Sequence, residues 1–138
     1  MMSKELKSVS STLCILYAED EEDTRIQITE ILQMFFKKVV VAQNGKEALD
    51  NFKSNSIDLI LSDITMPIMD GIAMVTEILA INSTAKIIIM TAHNTDEAFL
   101  KRDNLKVAGI LHKPIDINKT LRLLHGVCSD IIKEKLQG

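Results

Sequence analysis

Short apolar runs in this chain stop at polar residues, and four of those stops carry groups that could act together. Residues 13–18 deliver Glu19 and Asp20, residues 57–62 deliver Asp63, residues 86–90 deliver Thr91, and residues 107–112 deliver Lys113. Three carboxylates gathered in one cleft repel one another by about 4 kcal/mol per pair at 4 Å and an effective dielectric near 20. Such a cluster must take up a proton, bind a cation, or do both. A divalent ion is the economical answer. Oxygen-only donors that leave room for water and a phosphoryl group suit Mg²⁺, with Mn²⁺ able to substitute, better than a calcium cage. A carboxylate nucleophile, a metal, a fixed ammonium and a hydroxyl donor are the parts that phosphoryl transfer to an aspartate requires, and Asp63 is the candidate nucleophile.

For those side chains to meet, the elements carrying them must share one edge. The runs 13–18, 38–42, 57–62, 86–90 and 107–112 are apolar on both faces and alternate with helical patterns, which indicates parallel strands covered on each side. Ile28, Ile31, Leu32, Phe35 and Phe36 repeat at helical spacing, as do Ala48, Leu49 and Phe52, then Val75, Ile78 and Leu79. Thr95 is placed to cap a further helix whose first turn holds Asp96 and Glu97, where carboxylates favour the positive end of the dipole. The last helix aligns Ile117, Leu121, Leu124, Cys128 and Ile131 behind a cap at Asp116. The expected fold is α/β, a single (βα)5 doubly wound parallel sheet in the order 2-1-3-4-5, flavodoxin-like. In that order the first and third strands flank the switch point, where ligands bind beyond the carboxyl ends of the strands. Glu19, Asp20 and Asp63 are therefore expected to converge. Residues 1–11 are expected to form a flexible leader or a weak extra helix, and residues 12–138 the domain.

The bulk numbers agree with one ordinary domain: 138 residues, 46% hydrophobic, with 16 basic and 19 acidic residues for a net charge of -3. No basic stripe for nucleic acid and no polybasic membrane patch is present. The longest wholly apolar run, residues 13–18, falls far below the ~20 residues of a membrane span, so the expected location is the cytoplasm. Cys14 and Cys128 lie within apolar patterns and are expected to fill core space. His112 and His125 lack metal-ligand spacing. The segment "NGKEA", residues 44–48, is not a P-loop, because it lacks the first glycine and the hydroxyl residue after the lysine.

The ordered set of Glu19 with Asp20, Asp63 within "DITMPIMDG", Thr91 followed by Ala92, and Lys113 followed by Pro114 resembles the response-regulator receiver domain of two-component signalling, similar to the stand-alone chemotaxis regulators. The resemblance covers about residues 12–135. It implies that Asp63 accepts a phosphoryl group from a histidine kinase or a histidine phosphotransfer protein. It implies a metal held by Asp20, Asp63 and the backbone carbonyl of Thr65, with Glu19 acting mostly through water. Thr91 and Lys113 would then engage the phosphoryl group. The helix after the fourth strand, the fifth strand and the final helix would report the state to a downstream protein or a linked output domain, or form a homodimer on phosphorylation. Ile110 stands where many family members carry a switching aromatic. Thr65 and His93 match positions that influence phosphoryl lifetime, and the bond before Pro114 is expected to be cis. Such a protein is a switch rather than an enzyme, beyond its own phosphorylation and dephosphorylation. Two alternatives stand beside it: a pseudo-receiver kept only for docking, and a small aspartyl-phosphate hydrolase of the haloacid dehalogenase type. The latter expects its aspartate on the first strand and a second aspartate two residues on, where this chain has Thr65.

Overall fold

Strands apolar on both faces need cover on both sides, and the intervening helices supply it. A computed structural model describes residues 2–137. Strands β1 (Cys14–Ala18), β2 (Lys38–Ala42), β3 (Leu59–Asp63), β4 (Ile87–Thr91) and β5 (Gly109–His112) form one sheet in the order β2-β1-β3-β4-β5, and all pairs are parallel. Helices α1 (Met2–Ser10), α2 (Glu22–Gln33), α3 (Gly45–Ser54), α4 (Gly71–Ile81), α5 (Thr95–Arg102) and α6 (Ile117–Gln137) complete the chain.

Side chains alternate between two cores with the period of a strand. Ile15, Tyr17, Leu59, Leu61, Ile88 and Met90 pack with Leu32 of α2 and Leu121 and Leu124 of α6. Leu16, Ala18, Ile60, Ile87 and Ile89 pack with Leu49 of α3 and Met74 and Ile78 of α4 on the other face. Every residue of β1, β3 and β4 is buried, whereas the edge strands β2 and β5 are partly exposed. The two strands that flank the switch point, β1 and β3, are thus fully enclosed.

Three local features stand out. Of the two expectations for the N-terminal segment, a flexible leader or an extra helix, residues 2–10 take the helix: α1 packs on α6, Leu6 is buried in the core, and the buried Ser10 hydroxyl donates to the Phe35 carbonyl oxygen at 2.7 Å. The cause is the apolar spacing of Met2, Leu6 and Val9, which gives a short polar helix one face to bury. Thr95 is the first residue of α5 rather than its cap; Asn94 occupies the cap position and makes no side-chain capping bond. The turn after Asp63 is tighter than a β-turn, with the Met69 amide donating to Pro67 O at 2.7 Å around Ile68 at φ 69°. Elsewhere the caps match: Asp70 accepts from the Ala73 amide at 2.9 Å and Asp116 from the Lys119 amide at 3.1 Å. Cys14 and Cys128 are free and buried.

Candidate functional site

Parallel registry brings the acidic groups together. Ala18 of β1 lies opposite Ser62 of β3, so Glu19 and Asp20 leave their strand beside Asp63, the last residue of β3. One carboxylate oxygen from each of Glu19, Asp20 and Asp63 lies within 4.8 Å of the others. Opposed ligands of an octahedral Mg²⁺ at 2.1 Å stand about 4.2 Å apart, so this all-oxygen set has the size and chemistry for a hard divalent cation. Glu19 is 1% exposed and Asp63 4%, while Asp20 faces solvent.

The Asp63 carboxylate is held at both oxygens. Lys113, the residue after β5, donates from Nζ to Oδ2 at 2.5 Å, and the Thr65 amide donates to Oδ1 at 3.3 Å. Lys113 itself is placed by its amide, which donates to the Thr91 carbonyl oxygen at 2.8 Å, and the bond from Lys113 to Pro114 is cis. The acidic loop is braced from α2, where Arg25 donates to the carbonyl oxygens of Glu19 at 3.1 Å and Asp20 at 3.3 Å.

The charges are out of balance. Burial, and then the neighbouring Asp63 charge, push the Glu19 carboxyl from an ordinary 4.5 up to about 7, against the opposing pull of Lys113. Burial alone would lower Lys113, yet its hydrogen bond to Asp63 and the charges of Asp63, Glu19 and Asp20 outweigh that and raise it. One ammonium therefore faces three carboxylates, which leaves a cavity mouth that attracts a further cation.

Not every expected residue meets at this point. Thr91 ends β4 on the same rim, but its hydroxyl is bonded to Asp96 Oδ2 and the His93 carbonyl oxygen rather than to Asp63. Thr65 reaches Asp63 through its backbone amide. His93 is exposed and contacts Thr91 through its backbone. Ile110 is partly buried against the core on the α3 and α4 side.

Sequence reasoning passed over Arg25 and Gly45, and read Gly71 of "DITMPIMDG" only as the end of the turn that clears the chain from Asp63. The Gly71 amide donates to Ile64 O at 2.6 Å, and a Cβ there would stand 2.6 Å from Ile64 Cα. A Cβ on Gly45 would stand 2.2 Å from Met69 O. Both glycines let the loop after Asp63 fold tightly back on its supports, and the "MDG" spacing was the available signal for Gly71. His112, expected to be an ordinary strand-end residue, pairs through Nε2 with Glu97 Oε1 of α5 at 2.8 Å.

Residues 15–125 match the family described as the response regulator receiver domain. The chain is 32% identical over 112 residues to the chemotaxis protein CheY of Bacillus subtilis, covering 80% of this chain and 93% of that one. It is also 32% identical over 108 residues to a response regulator receiver protein of Anaeromyxobacter, of whose length it spans 45%. Among solved structures, one of a CheX-CheY-BeF3-Mg complex from Borrelia burgdorferi aligns with TM-score 0.78 and 25% identity over 92% of this chain and 98% of that one.

Proposed function

The chain belongs to the response regulator receiver domain family, a family of signalling switches, and from that premise we propose that Asp63 is its phosphoacceptor. The observation that carries this reading is the meeting of three carboxylate oxygens within 4.8 Å with Lys113 Nζ held 2.5 Å from Asp63 Oδ2. A histidine kinase or histidine phosphotransfer protein presents a phosphohistidine at the rim. An Asp63 oxygen attacks phosphorus, the P–N bond breaks, and its electron pair stays on the imidazole nitrogen. Two donors on Asp63 fix the carboxylate's orientation, so little reorganisation is needed as the P–O bond forms. Asp20, Asp63 and the Thr65 carbonyl would hold Mg²⁺, with Glu19 acting mostly through water. When bound, the ion neutralises charge on the transferring phosphoryl oxygens. Lys113 supplies the fixed positive charge beside it.

Once formed, the acyl phosphate draws the Thr91 hydroxyl inward and shifts a pre-existing equilibrium of α5, β5 and α6. That face engages a downstream protein or a linked output domain, or pairs with a second copy, and Ile110 fills the space that Thr91 leaves. Thr65 and His93 tune the lifetime of the phosphoryl group. No helix among the described residues is long and apolar enough to cross a membrane, and the reading places the switch in the cytoplasm.

The test is incubation with acetyl phosphate and Mg²⁺ followed by intact mass. The wild-type chain should gain one acid-labile phosphoryl group, and Asp63→Asn should gain none. Folded wild-type protein that gains nothing would be a docking module instead. Rapid turnover of small phosphate esters would point to a hydrolase.

A further inference from the structure

The switch threonine is already engaged. The Thr91 hydroxyl lies 2.5 Å from Asp96 Oδ2 and 2.9 Å from the His93 carbonyl oxygen, and it accepts from the His93 amide at 3.1 Å. A hydroxyl has one proton to give, and the carboxylate is the stronger acceptor, so that proton points to Asp96. Asp96 lies in the first turn of α5, a helix whose cap position makes no side-chain bond, yet its carboxylate serves Thr91 and not the helix. The next residue acts alike, since Glu97 Oε1 meets His112 Nε2 at 2.8 Å. Two consecutive carboxylates therefore tie the first turn of α5 to the last residues of β4 and β5.

We propose that Asp96 is a positioning residue that holds the Thr91 hydroxyl in the unphosphorylated arrangement, so that recruitment of Thr91 to the acceptor site requires displacement of a carboxylate. This rests on the receiver reading of the same site. A phosphoryl group on Asp63 does not win Thr91 from water. It trades one charge-assisted hydrogen bond for another of similar strength, while Asp96 is released to solvent. The drive toward the switched state is correspondingly small, and this chain is held off more firmly than one whose threonine is free.

The test uses beryllofluoride with Mg²⁺ as a phosphoryl mimic, titrated into the full chain and followed by backbone amide chemical shifts. Asp96→Ala should tighten binding about tenfold, the scale of one charge-assisted hydrogen bond no longer opposing the switch. Asp96→Asn, which keeps the shape and a neutral acceptor, should gain less, and it stands in if the alanine variant does not fold. In a Thr91→Ala background, Asp96→Ala should change nothing, an outcome that a merely structural role for Asp96 would not give. Unchanged or weaker binding by folded Asp96 variants, or a gain that persists without Thr91, overturns the latch. If wild-type protein binds beryllofluoride and the variants gain nothing, the latch alone is lost; wild-type protein that neither binds it nor accepts a phosphoryl group removes both readings.

Discussion

The two rims of the sheet carry similar groups to different ends. At the carboxyl rim, Lys113 and Asp63 pair with side chains 32% and 6% exposed, and two more carboxylates crowd the same mouth. At the amino rim, Lys135 pairs with Asp58 at 2.9 Å and Lys86 with Glu134 at 3.0 Å, each pair with a partner 55% or more exposed. The amino rim also holds a cavity of about 270 Å³ lined by Phe52, Ile57, Lys86, Ile131 and Glu134 among others. Room alone does not make a reactive site. Exposed pairs at the amino rim are screened and individually weak, whereas desolvation at the carboxyl rim turns an excess of negative charge into a demand for a cation.

The contrast can be broken in order of expected effect. Replacing Lys113 with alanine removes the fixed cation beside Asp63 and should slow the proposed phosphorylation by acetyl phosphate on the order of a hundredfold, measured by intact-mass time courses. A rate near wild type would mean that the pair at the carboxyl rim is no different in kind from those opposite.

Next in size is the pH dependence of the metal-free fold. Glu19 is raised from 4.5 to about 7, so between those values the folded state binds more protons than the unfolded one. Stability therefore falls as pH rises through that window, by on the order of 2 kcal/mol from this group. Urea unfolding of wild type and Glu19→Gln across pH 4.5 to 7.5 should show the decline in the wild type and a flatter profile in the variant. Added Mg²⁺ should recover stability at the high end of the range, because it binds the folded state and favours the charged carboxylates. The smallest effect is expected at the amino rim, where Lys86→Ala should change unfolding free energy by about 0.5 kcal/mol or less and leave the phosphoryl gain intact.

Much of this contrast was legible in the residues. The strands are apolar runs, the acceptor candidate closes one of them, and the two-core alternation follows from strand period. The boundaries shifted by a residue or two, and Asp63 and Thr91 end their strands as read. The N-terminal segment read as polar and without periodicity, because Met2, Leu6 and Val9 are too few to mark a helix; a nine-residue helix is decided by what it packs on, and α6 lies more than a hundred residues away. The braces of the site were harder to see. Arg25 donates to carbonyl oxygens, Gly45 to Met69 O, and Asp96 accepts from Thr91, and a backbone acceptor or a short polar contact leaves no periodic mark.

From its sequence alone this protein has a doubly wound sheet and a set of strand-end residues able to do phosphoryl chemistry, because local periodicity and residue type are properties of neighbours in the chain. Which of those residues touch was settled only in three dimensions. Registry between β1 and β3 brings Glu19 and Asp20 to Asp63, the amide bond of Lys113 to the end of β4 sets its ammonium beside Asp63, and the first turn of α5 takes Thr91 for Asp96. The reason is physical: charge interactions depend on distance and burial, and both are set by how separate elements pack, not by spacing along the chain.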